Sequence, residues 1–269
     1  MLVWYHNVMK YRLDMFLVMK GLQESRERAK RAILAGQVFV NGKAESSPSA
    51  KVQDGDEITL GKDILKYVSR GALKLAKAVS VFNVDFADRV VLDIGSSTGG
   101  FTEVSLENGA KKVLALDVGT NILHPRLREN ENVVVMENTD FRFVEASKVQ
   151  EADLIVTDVS FISLRLIFPK IIEMFGKEIE IVALFKPQFE CGEQLAKKFN
   201  GVIRNSKIHK ELLTNFVNYL ENFGMKITGL DYSPITGKEG NIEYLFHING
   251  KGKKNYNVEK TIGEAFKSL

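Results

Sequence analysis

Residues 90–102 have the sequence VVLDIGSSTGGFT, in which an apolar strand runs into a glycine loop and then into the start of a helix. Gly95 permits a tight turn, and Gly99 and Gly100 would let the backbone approach a ligand without an intervening Cβ. The glycines lack the G-x-G-x-x-G spacing of a dinucleotide site, and no G-K-[ST] follows as in a phosphate-binding loop. The next strand ends at Asp117, at the distance where a carboxylate can meet ribose hydroxyls. Loop and acid together predict a site for a nucleoside-containing ligand.

Alternating strands and helices over most of the chain predict an α/β domain. The early strands are continuous apolar runs, as expected where helices cover both faces of a parallel sheet. The last two strands are joined without a helix, across residues 233–241, and would form an antiparallel hairpin at one side. Seven strands ending this way are more typical of a doubly wound, Rossmann-like methyltransferase sheet than of a dehydrogenase sheet. The predicted strands are 90–94, 112–117, 133–136, 153–157, 180–185, 226–232 and 242–248, and the predicted helices are 72–82, 99–109, 121–129, 163–175 and 206–223.

Polar residues follow successive strands of this predicted sheet. Ligands in open α/β sheets bind beyond the carboxyl ends of the strands, so we expect these side chains to converge. Asp158 could instead cap the following helix, and Lys186 could be a surface lysine, although Pro187 makes the turn that directs Lys186 rigid. Glu243, placed between apolar residues in the last strand, either faces solvent at an edge or points into the site. The strand-end residues are Asp93, Asp117, Asp140, Asp158 and Lys186.

Positive charge is concentrated near the N-terminus. Residues 10–43 contain eight basic and three acidic residues, whereas the whole 269-residue chain has a net charge of only +3. A run of this kind can be a solvated helix face. Its concentration on one compact unit, in which helices precede strands, is suited to contacts with RNA phosphates.

Local signals divide this basic segment into elements. Ser25 is a good cap for a helix that runs to Ala35 and ends at Gly36. Asn-Gly at residues 41–42 predicts a tight hairpin turn. The predicted elements are a helix over 12–19, a helix over 25–35, a strand and turn over 37–43, and a turn and strand over 52–60.

The basic segment resembles the small RNA-binding domain shared by ribosomal small-subunit protein four and many pseudouridine synthases. The resemblance spans residues 10–60 and rests on RLD at 12–14, SRERA at 25–29 and GQVFVNG at 36–42. It implies RNA as a partner. The residues we expect to contact RNA, including one at the start of the larger domain, are Arg12, Arg26, Arg28, Lys30, Arg31, Lys43 and Arg70.

Five motifs, in order, are similar to those of the TlyA family of ribosomal RNA 2′-O-methyltransferases, often labelled hemolysins. Their catalytic domain is related to the FtsJ-type RNA methyltransferases. The resemblance implies S-adenosylmethionine as donor, a cytidine ribose in ribosomal RNA or a ribosomal subunit as acceptor, and a Lys-Asp-Lys-Glu catalytic set that falls on Lys74, Asp158, Lys186 and Glu243. The motifs are SRGALKL at 69–75, the glycine loop at 93–102, TDVSFISL at 157–164, KPQFE at 186–190 and GNIEY at 240–244.

The implied donor would lie along the glycine loop. We expect Asp117 to bind the ribose hydroxyls of the donor, and Asp140 or Phe141 to contact the adenine of the donor. Lys186 would contact the acceptor 2′-oxygen, either as a cation that favours the alkoxide or as a neutral general base. The full set of expected donor-binding residues is Asp93, Gly95, Ser96, Thr98, Gly99, Asp117, Asp140 and Phe141.

Composition limits the other possibilities. The chain is 45% apolar and 26% charged, as in ordinary globular proteins, and no apolar run reaches the length of a membrane span. The four histidines are scattered, so we expect no metal site. A single cysteine, Cys191, excludes an internal disulfide and fits a reducing cytoplasm.

The predicted domain organisation has five parts, and three alternative functions stay open. The alternatives are a membrane-active hemolysin, a ribosome-binding factor without catalysis, and a small-molecule methyltransferase, which would leave the basic front domain without a purpose. The oligomeric state is not predicted. The parts are an extension at 1–9, the RNA-binding domain at 10–60, a linker at 61–67, the methyltransferase domain at 68–250 and a tail at 251–269.

Overall fold

The computed structural model describes residues 10–34, 36–61 and 67–269. The expected extension at 1–9, the middle of the expected linker, the expected helix end at Ala35 and the side chain of Arg31 lie outside the described residues. The chain divides into two compact units, one ending at Tyr67 and the other beginning at Val68.

The first unit packs two helices and short antiparallel strands around a small core. Strands β3, β2 and β5 form one sheet in that order, and β1 pairs with β4. Leu13, Leu17, Ile33 and Val38 are fully buried between them. The elements are β1 (Tyr11–Arg12), α1 (Leu13–Met19), α2 (Arg26–Leu34), β2 (Val38–Val40), β3 (Lys43–Glu45), β4 (Lys51–Val52) and β5 (Ile58–Leu60).

Local signals in this unit are largely confirmed. Ser25 Oγ accepts the amide hydrogen of Arg28 at 3.3 Å, which is the expected helix cap. Asn41 and Gly42 both have positive φ, 51° and 77°, as a two-residue hairpin turn requires. Arg12 differs from its prediction because it pairs with Lys51 in a strand instead of starting the helix.

The second unit contains one seven-stranded sheet with helices on its faces. Its elements are α3 (Gly71–Phe82), β6 (Val90–Ile94), α4 (Gly100–Glu107), β7 (Lys112–Leu116), α5 (Pro125–Arg128), β8 (Val133–Met136), β9 (Leu154–Thr157), α6 (Phe168–Phe175), β10 (Glu180–Phe185), α7 (Pro187–Glu190), α8 (Gly192–Lys198), α9 (Ser206–Asn222), β11 (Ile227–Tyr232), β12 (Tyr244–Ile248) and α10 (Val258–Ser268), with 3-10 turns at Phe141–Phe143, Ala146–Lys148 and Leu164–Leu166.

The strand order of this sheet is β11-β12-β10-β9-β6-β7-β8, and it confirms the predicted methyltransferase-type topology. All paired neighbours are parallel except β12, which runs antiparallel to both β10 and β11. The chain proceeds outward from β6 to β8 and then returns to β9 on the other side of β6. This reversal leaves a crevice beyond the carboxyl ends of β6 and β9, which is where such sheets bind ligands.

The helix predicted at 121–129 is mostly a loop, because the Glu137 carboxylate accepts hydrogen bonds from the backbone amides of residues 121–123. Glu137 accepts the amide hydrogens of residues 121–123 at 2.7–2.9 Å and a hydrogen bond from Arg128. Those amides are therefore satisfied without helical bonding. The Arg128 guanidinium and the three amides lower the pKa of Glu137 to about 2.

Two other elements depart from their predicted bounds. The helix predicted at 163–175 starts as a 3-10 turn and becomes α-helical only at Phe168, next to Pro169, which fits the first turn of a helix because it has no amide hydrogen. The last strand begins at Tyr244, so Glu243 lies just before the strand and not within it.

Three described helices of the second unit were not predicted. The short α7 lies within the KPQFE motif, α8 follows it, and α10 lies in the segment expected to be a tail. Ile262 and Ala265 of α10 are buried in the main core of the second unit. The second compact unit therefore extends beyond the predicted limit at residue 250.

Candidate active site

Four ionisable side chains meet at the carboxyl-end edge of the sheet. Lys74 comes from α3, Asp158 follows β9, Lys186 follows β10, and Glu243 precedes β12. Lys186 Nζ lies 2.6 Å from Asp158 Oδ1, while Lys74 Nζ lies 3.5 Å from Asp158 Oδ2 and 2.7 Å from Glu243 Oε2. Positive and negative charges alternate along these contacts, so the cluster as a whole is neutral.

Burial decides between the two interpretations that the sequence left open for Lys186 and for Glu243. Lys186 is 7% exposed, which excludes a surface lysine, and Glu243 is 2% exposed, which excludes an acid facing solvent. The Asp158 carboxylate contacts two ammonium groups, so its charge is used within the cluster.

Mutual attraction keeps the central pair of this cluster ionised. Burial alone would lower the pKa of Lys74, but the carboxylates of Asp158 and Glu243 outweigh it and raise that pKa above its usual value. Burial likewise opposes ionisation of Asp158, but the two lysines lower its pKa below the usual range. Lys74 is therefore a cation and Asp158 an anion at neutral pH.

A cavity of about 750 Å³ opens over the cluster. All four ionisable side chains line it, together with the glycine loop and the loop at 237–241. The expected loop residues Gly95, Ser96 and Thr98 are on its wall. Ser96 is 4% exposed and its Oγ has no hydrogen-bond partner in the described structure, so this wall presents an unsatisfied polar atom.

A second cavity of about 520 Å³ lies along the carboxyl ends of β6 and β7. It brings together the predicted Asp117, Asp140 and Phe141. The residues that line both cavities are Gly95, Ser97, Asp158, Ser160 and Phe161. The two spaces therefore adjoin at Asp158, with room for one ligand on each side.

The predicted nucleoside-contacting residues already have protein partners. Asp117 accepts amide hydrogens from Ser97 at 2.9 Å and Gly119 at 2.7 Å, so it fixes the loop as well as facing the cavity. Asp140 is held by the guanidinium of Arg142, which lowers the pKa of that carboxyl. Phe141 is 2% exposed and offers an apolar wall.

The glycines of this loop allow close packing of the chain, and Gly95 and Gly100 also line the first cavity. A Cβ on Gly95, whose φ is +86°, would lie 2.9 Å from the carbonyl oxygen of Asp158, and a Cβ on Gly100 would lie 2.8 Å from the amide nitrogen of Ala72. A Cβ on Gly99 would collide with Leu127. Gly99 lines neither cavity, and the glycines let α3, α4 and the Asp158 loop meet at short range.

Asp93 lies beneath the glycine loop and lines neither cavity. It is fully buried, and its Oδ2 accepts a hydrogen bond from Thr102 Oγ1 at 2.6 Å. Burial raises the pKa of Asp93 to about 7, helped by the negative charge of Asp158. The structure thus places it below the wall of the site, under the residues that face a ligand.

Two of the predicted RNA-contacting arginines of the first unit, Arg12 and Arg26, converge on a buried acid. Asp14 is fully buried, and it accepts hydrogen bonds from Arg12 Nε at 3.0 Å and from Arg26 Nη2 at 3.1 Å. These partners, Arg12 first, lower the pKa of Asp14 to about 2. The side chains of Arg12 and Arg26 stay 40% and 52% exposed, so both still present donors to solvent.

The other predicted RNA contacts are more dispersed. Lys43 is exposed. Arg28 pairs with Glu24 at 2.5 Å, and Lys30 pairs with Glu27 at 2.9 Å. In the second unit, the exposed Arg70 donates a hydrogen bond to the carbonyl of Thr236 at 3.4 Å.

Three site residues escaped the sequence reasoning. Ser160 accepts a hydrogen bond from Lys186, Arg142 holds Asp140, and Glu190 fixes the loop after β9 through Ser163 and Leu164. Ser160 and Glu190 both lie inside quoted motifs, but only the fold shows what their side chains contact.

The described residues contain neither a candidate metal site nor a membrane-spanning helix. No group of three histidine, cysteine, aspartate or glutamate side chains in 10–34, 36–61 and 67–269 is arranged to hold a metal ion. Within the same ranges, no helix combines the length and apolar character needed to cross a membrane.

Comparison with known families agrees with this geometry. The FtsJ-like methyltransferase family matches residues 67–250, and the S4 domain family matches residues 12–58.

Individual relatives extend the similarity over most of the chain. Hemolysin A of Brachyspira hyodysenteriae is 42% identical over 241 residues, covering 88% of this chain and 99% of the relative. The 16S/23S rRNA (cytidine-2′-O)-methyltransferase TlyA of Mycobacterium tuberculosis is 37% identical over 239 residues, covering 88% and 89%. A solved Streptococcus thermophilus structure described as a hemolysin is 42% identical, with a TM-score of 0.75 and 96% of each chain covered. The chain therefore belongs to the FtsJ-like methyltransferase family and joins that domain to an S4 domain.

Proposed function

We propose that this protein transfers the methyl group of S-adenosylmethionine to the 2′-hydroxyl of a cytidine ribose in ribosomal RNA. The observation that carries the proposal is the buried Lys74-Asp158-Lys186-Glu243 cluster at the junction of two cavities. The relatives from Mycobacterium tuberculosis and Campylobacter jejuni, 37% and 38% identical, are named as rRNA (cytidine-2′-O)-methyltransferases.

The second cavity suits the nucleoside half of the donor. Asp117 would accept hydrogen bonds from the ribose hydroxyls, and Phe141 would pack against the adenine beside Asp140. The unpartnered Ser96 Oγ would meet the amino-acid end, where the first cavity begins. S-adenosylmethionine supplies a methyl group activated by its sulfonium sulfur.

The cluster would act on the acceptor by holding charge in place. Lys186 would donate a hydrogen bond to the 2′-oxygen and stabilise negative charge on that oxygen. Of the two roles predicted for Lys186, this is the one in which the lysine is a cation. Asp158 would keep that ammonium next to the donor cavity, and Lys74, held by Glu243, would balance the charge of Asp158. The 2′-hydroxyl would lose its proton to water as its oxygen bonds to the methyl carbon, and the carbon–sulfur bond of the donor would break with its electron pair staying on sulfur.

The S4 domain would bring RNA to the catalytic domain. Arg12 and Arg26 face solvent beside Asp14 and offer donors to phosphate oxygens. The reducing cytoplasm, where ribosomes are made and a lone cysteine stays reduced, is the compartment that fits this role.

Mapping of ribose methylation tests the proposal directly. Ribosomal RNA from cells with and without the protein is probed for 2′-O-methylated nucleotides at every position. We expect one or more cytidines to lose the modification when the protein is absent and to regain it on complementation. Identical maps would refute the proposal.

Two of the earlier alternatives make different predictions in the same system. A ribosome-binding factor without catalysis would be complemented by a Lys186→Ala variant. A small-molecule methyltransferase would retain its activity after removal of residues 1–60. We expect neither outcome.

A further inference from the structure

Lys186 has a second oxygen partner besides Asp158. Its Nζ donates a hydrogen bond to Ser160 Oγ at 2.7 Å. Ser160 lies two residues after Asp158 in the loop that leaves β9, and it lines both cavities. One loop therefore supplies both side-chain oxygens that contact this ammonium.

These two contacts restrict the direction of the remaining donor. A lysine ammonium has three N–H groups. Ser160 Oγ accepts a hydrogen bond from one of them at 2.7 Å, and Asp158 Oδ1 forms an ion pair with the ammonium at 2.6 Å without the geometry of a hydrogen bond, so the two oxygens together hold the ammonium and leave N–H donors for an acceptor in the first cavity. With Asp158 alone, the ammonium could rotate about this single contact, and the direction of its N–H groups would not be fixed.

We infer that Ser160 is a positioning residue for methyl transfer, which fixes Lys186 so that a remaining N–H faces the acceptor 2′-oxygen. The inference rests on the proposed function and deepens it. Ser160 acts through Lys186, and the reacting atoms are contacted by the lysine.

The loop that carries Ser160 is itself held in place. Glu190 accepts a hydrogen bond from Ser163 Oγ at 2.6 Å and another from the amide of Leu164 at 2.6 Å. At the other end of the loop, the Asp158 carbonyl packs so closely on Gly95 that a Cβ there would lie 2.9 Å away. Ser160 is therefore presented to Lys186 by a loop fixed on both sides.

The test compares two substitutions at this position in the full-length protein. Ser160→Ala removes the acceptor oxygen, whereas Ser160→Thr keeps a hydroxyl. Single-turnover methyl transfer to ribosomal RNA is measured with saturating donor and RNA, and the dissociation constants of S-adenosylmethionine and RNA are measured separately. Ser80→Ala, at an exposed position of α3, controls for the loss of a serine hydroxyl, and thermal melting controls for folding.

We expect Ser160→Ala to lower the single-turnover rate by about 10- to 100-fold, the effect of losing one hydrogen bond to a charged group. Both dissociation constants should stay within about threefold of wild type, because the hydroxyl that is lost is hydrogen-bonded to Lys186. Ser160→Thr should recover most of the rate, and Ser80→Ala should match wild type.

Each other outcome has a distinct meaning. An Ala variant as fast as wild type would overturn the inference while leaving the proposed function intact. An Ala variant whose only defect is weak donor binding would also overturn it, because Ser160 would then be a binding residue. A wild-type protein that transfers no methyl group to ribosomal RNA would refute the proposed function itself.

Discussion

Lys74 Nζ lies 2.7 Å from Glu243 Oε2, and both side chains are buried. Loss of one member leaves the other as a buried charge that has lost a partner, whereas an apolar pair of similar volume can replace a buried ion pair at little cost. Comparing the loss of one member with the replacement of both therefore separates the role of the pair in stability from its role in catalysis.

The first prediction concerns this ion pair. Glu243→Gln should lower the free energy of unfolding by about 3 kcal/mol, since Lys74 keeps only the weaker contact to Asp158. The double variant Lys74→Met/Glu243→Leu should recover much of that stability and still transfer no methyl group. Urea titration and a methyl-transfer assay on the same samples measure both quantities. A Gln variant as stable as wild type would show that the pair adds nothing to folding.

The second prediction isolates the ammonium that faces the acceptor. Lys186→Ala should abolish methyl transfer and leave the dissociation constant of S-adenosylmethionine within about threefold, because its contacts are to Asp158 and Ser160. Lys170→Ala, which removes a partly exposed lysine paired with Glu173 on α6, is the matched control. Substantial single-turnover activity in the Lys186 variant would exclude the assigned role.

The third prediction tests the ribose contact of Asp117. Asp117→Ala should weaken S-adenosylmethionine binding by about tenfold or more, measured by calorimetry, since a charged acceptor for hydroxyl groups is lost. Asp117 also holds the amides of Ser97 and Gly119, so a donor analogue without ribose hydroxyls is needed as well. That analogue should bind wild type and variant with nearly equal affinity. Equal loss of affinity for both ligands would assign Asp117 to loop structure alone.

The fourth prediction follows from the raised pKa of Asp93, about 7 against 3.8 in an unfolded chain. Between these values the folded protein holds a proton that the unfolded chain has lost, so this group makes the free energy of unfolding fall as pH rises from about 4 to about 7. Asp93→Asn keeps an acceptor for Thr102 and removes the titration. Stability of the variant relative to wild type should therefore increase over this pH range. Parallel pH profiles from urea unfolding would contradict the assignment.

The fifth prediction concerns RNA binding by the S4 domain. Arg26→Ala should weaken RNA binding and reduce the slope of log affinity against log salt concentration by about 0.7 to 1, as for one lost phosphate contact. Lys260→Ala, which removes a lysine paired with Glu264 on α10, should leave the slope unchanged. An Arg26 variant with the wild-type slope would mean that this arginine serves only to pair with Asp14.

The sequence predicts the part of the cluster whose residues are brought together by the strand order. Asp158 and Lys186 follow neighbouring parallel strands, so their convergence depends only on the strand order. Lys74 and Glu243 lie outside those strand ends, and only the family resemblance singled them out together. Their contact at 2.7 Å depends on how α3 packs against the sheet, which periodicity does not specify.

The errors have a common physical origin. Arg12, expected to start a helix, pairs instead with Lys51 in a strand. The helix predicted at 121–129 is replaced by bonds to Glu137, which follows it in sequence. In each case a contact from another part of the chain decides the conformation, and local patterns do not contain it.

The position of the transferred methyl group tests the central claim most directly. Purified protein is incubated with labelled S-adenosylmethionine and ribosomal RNA, and the RNA is digested to nucleosides and separated by mass. The account predicts that the label appears as 2′-O-methylcytidine with wild-type protein and is absent with Lys186→Ala. Label on a base, or label that persists in the Lys186 variant, would contradict it.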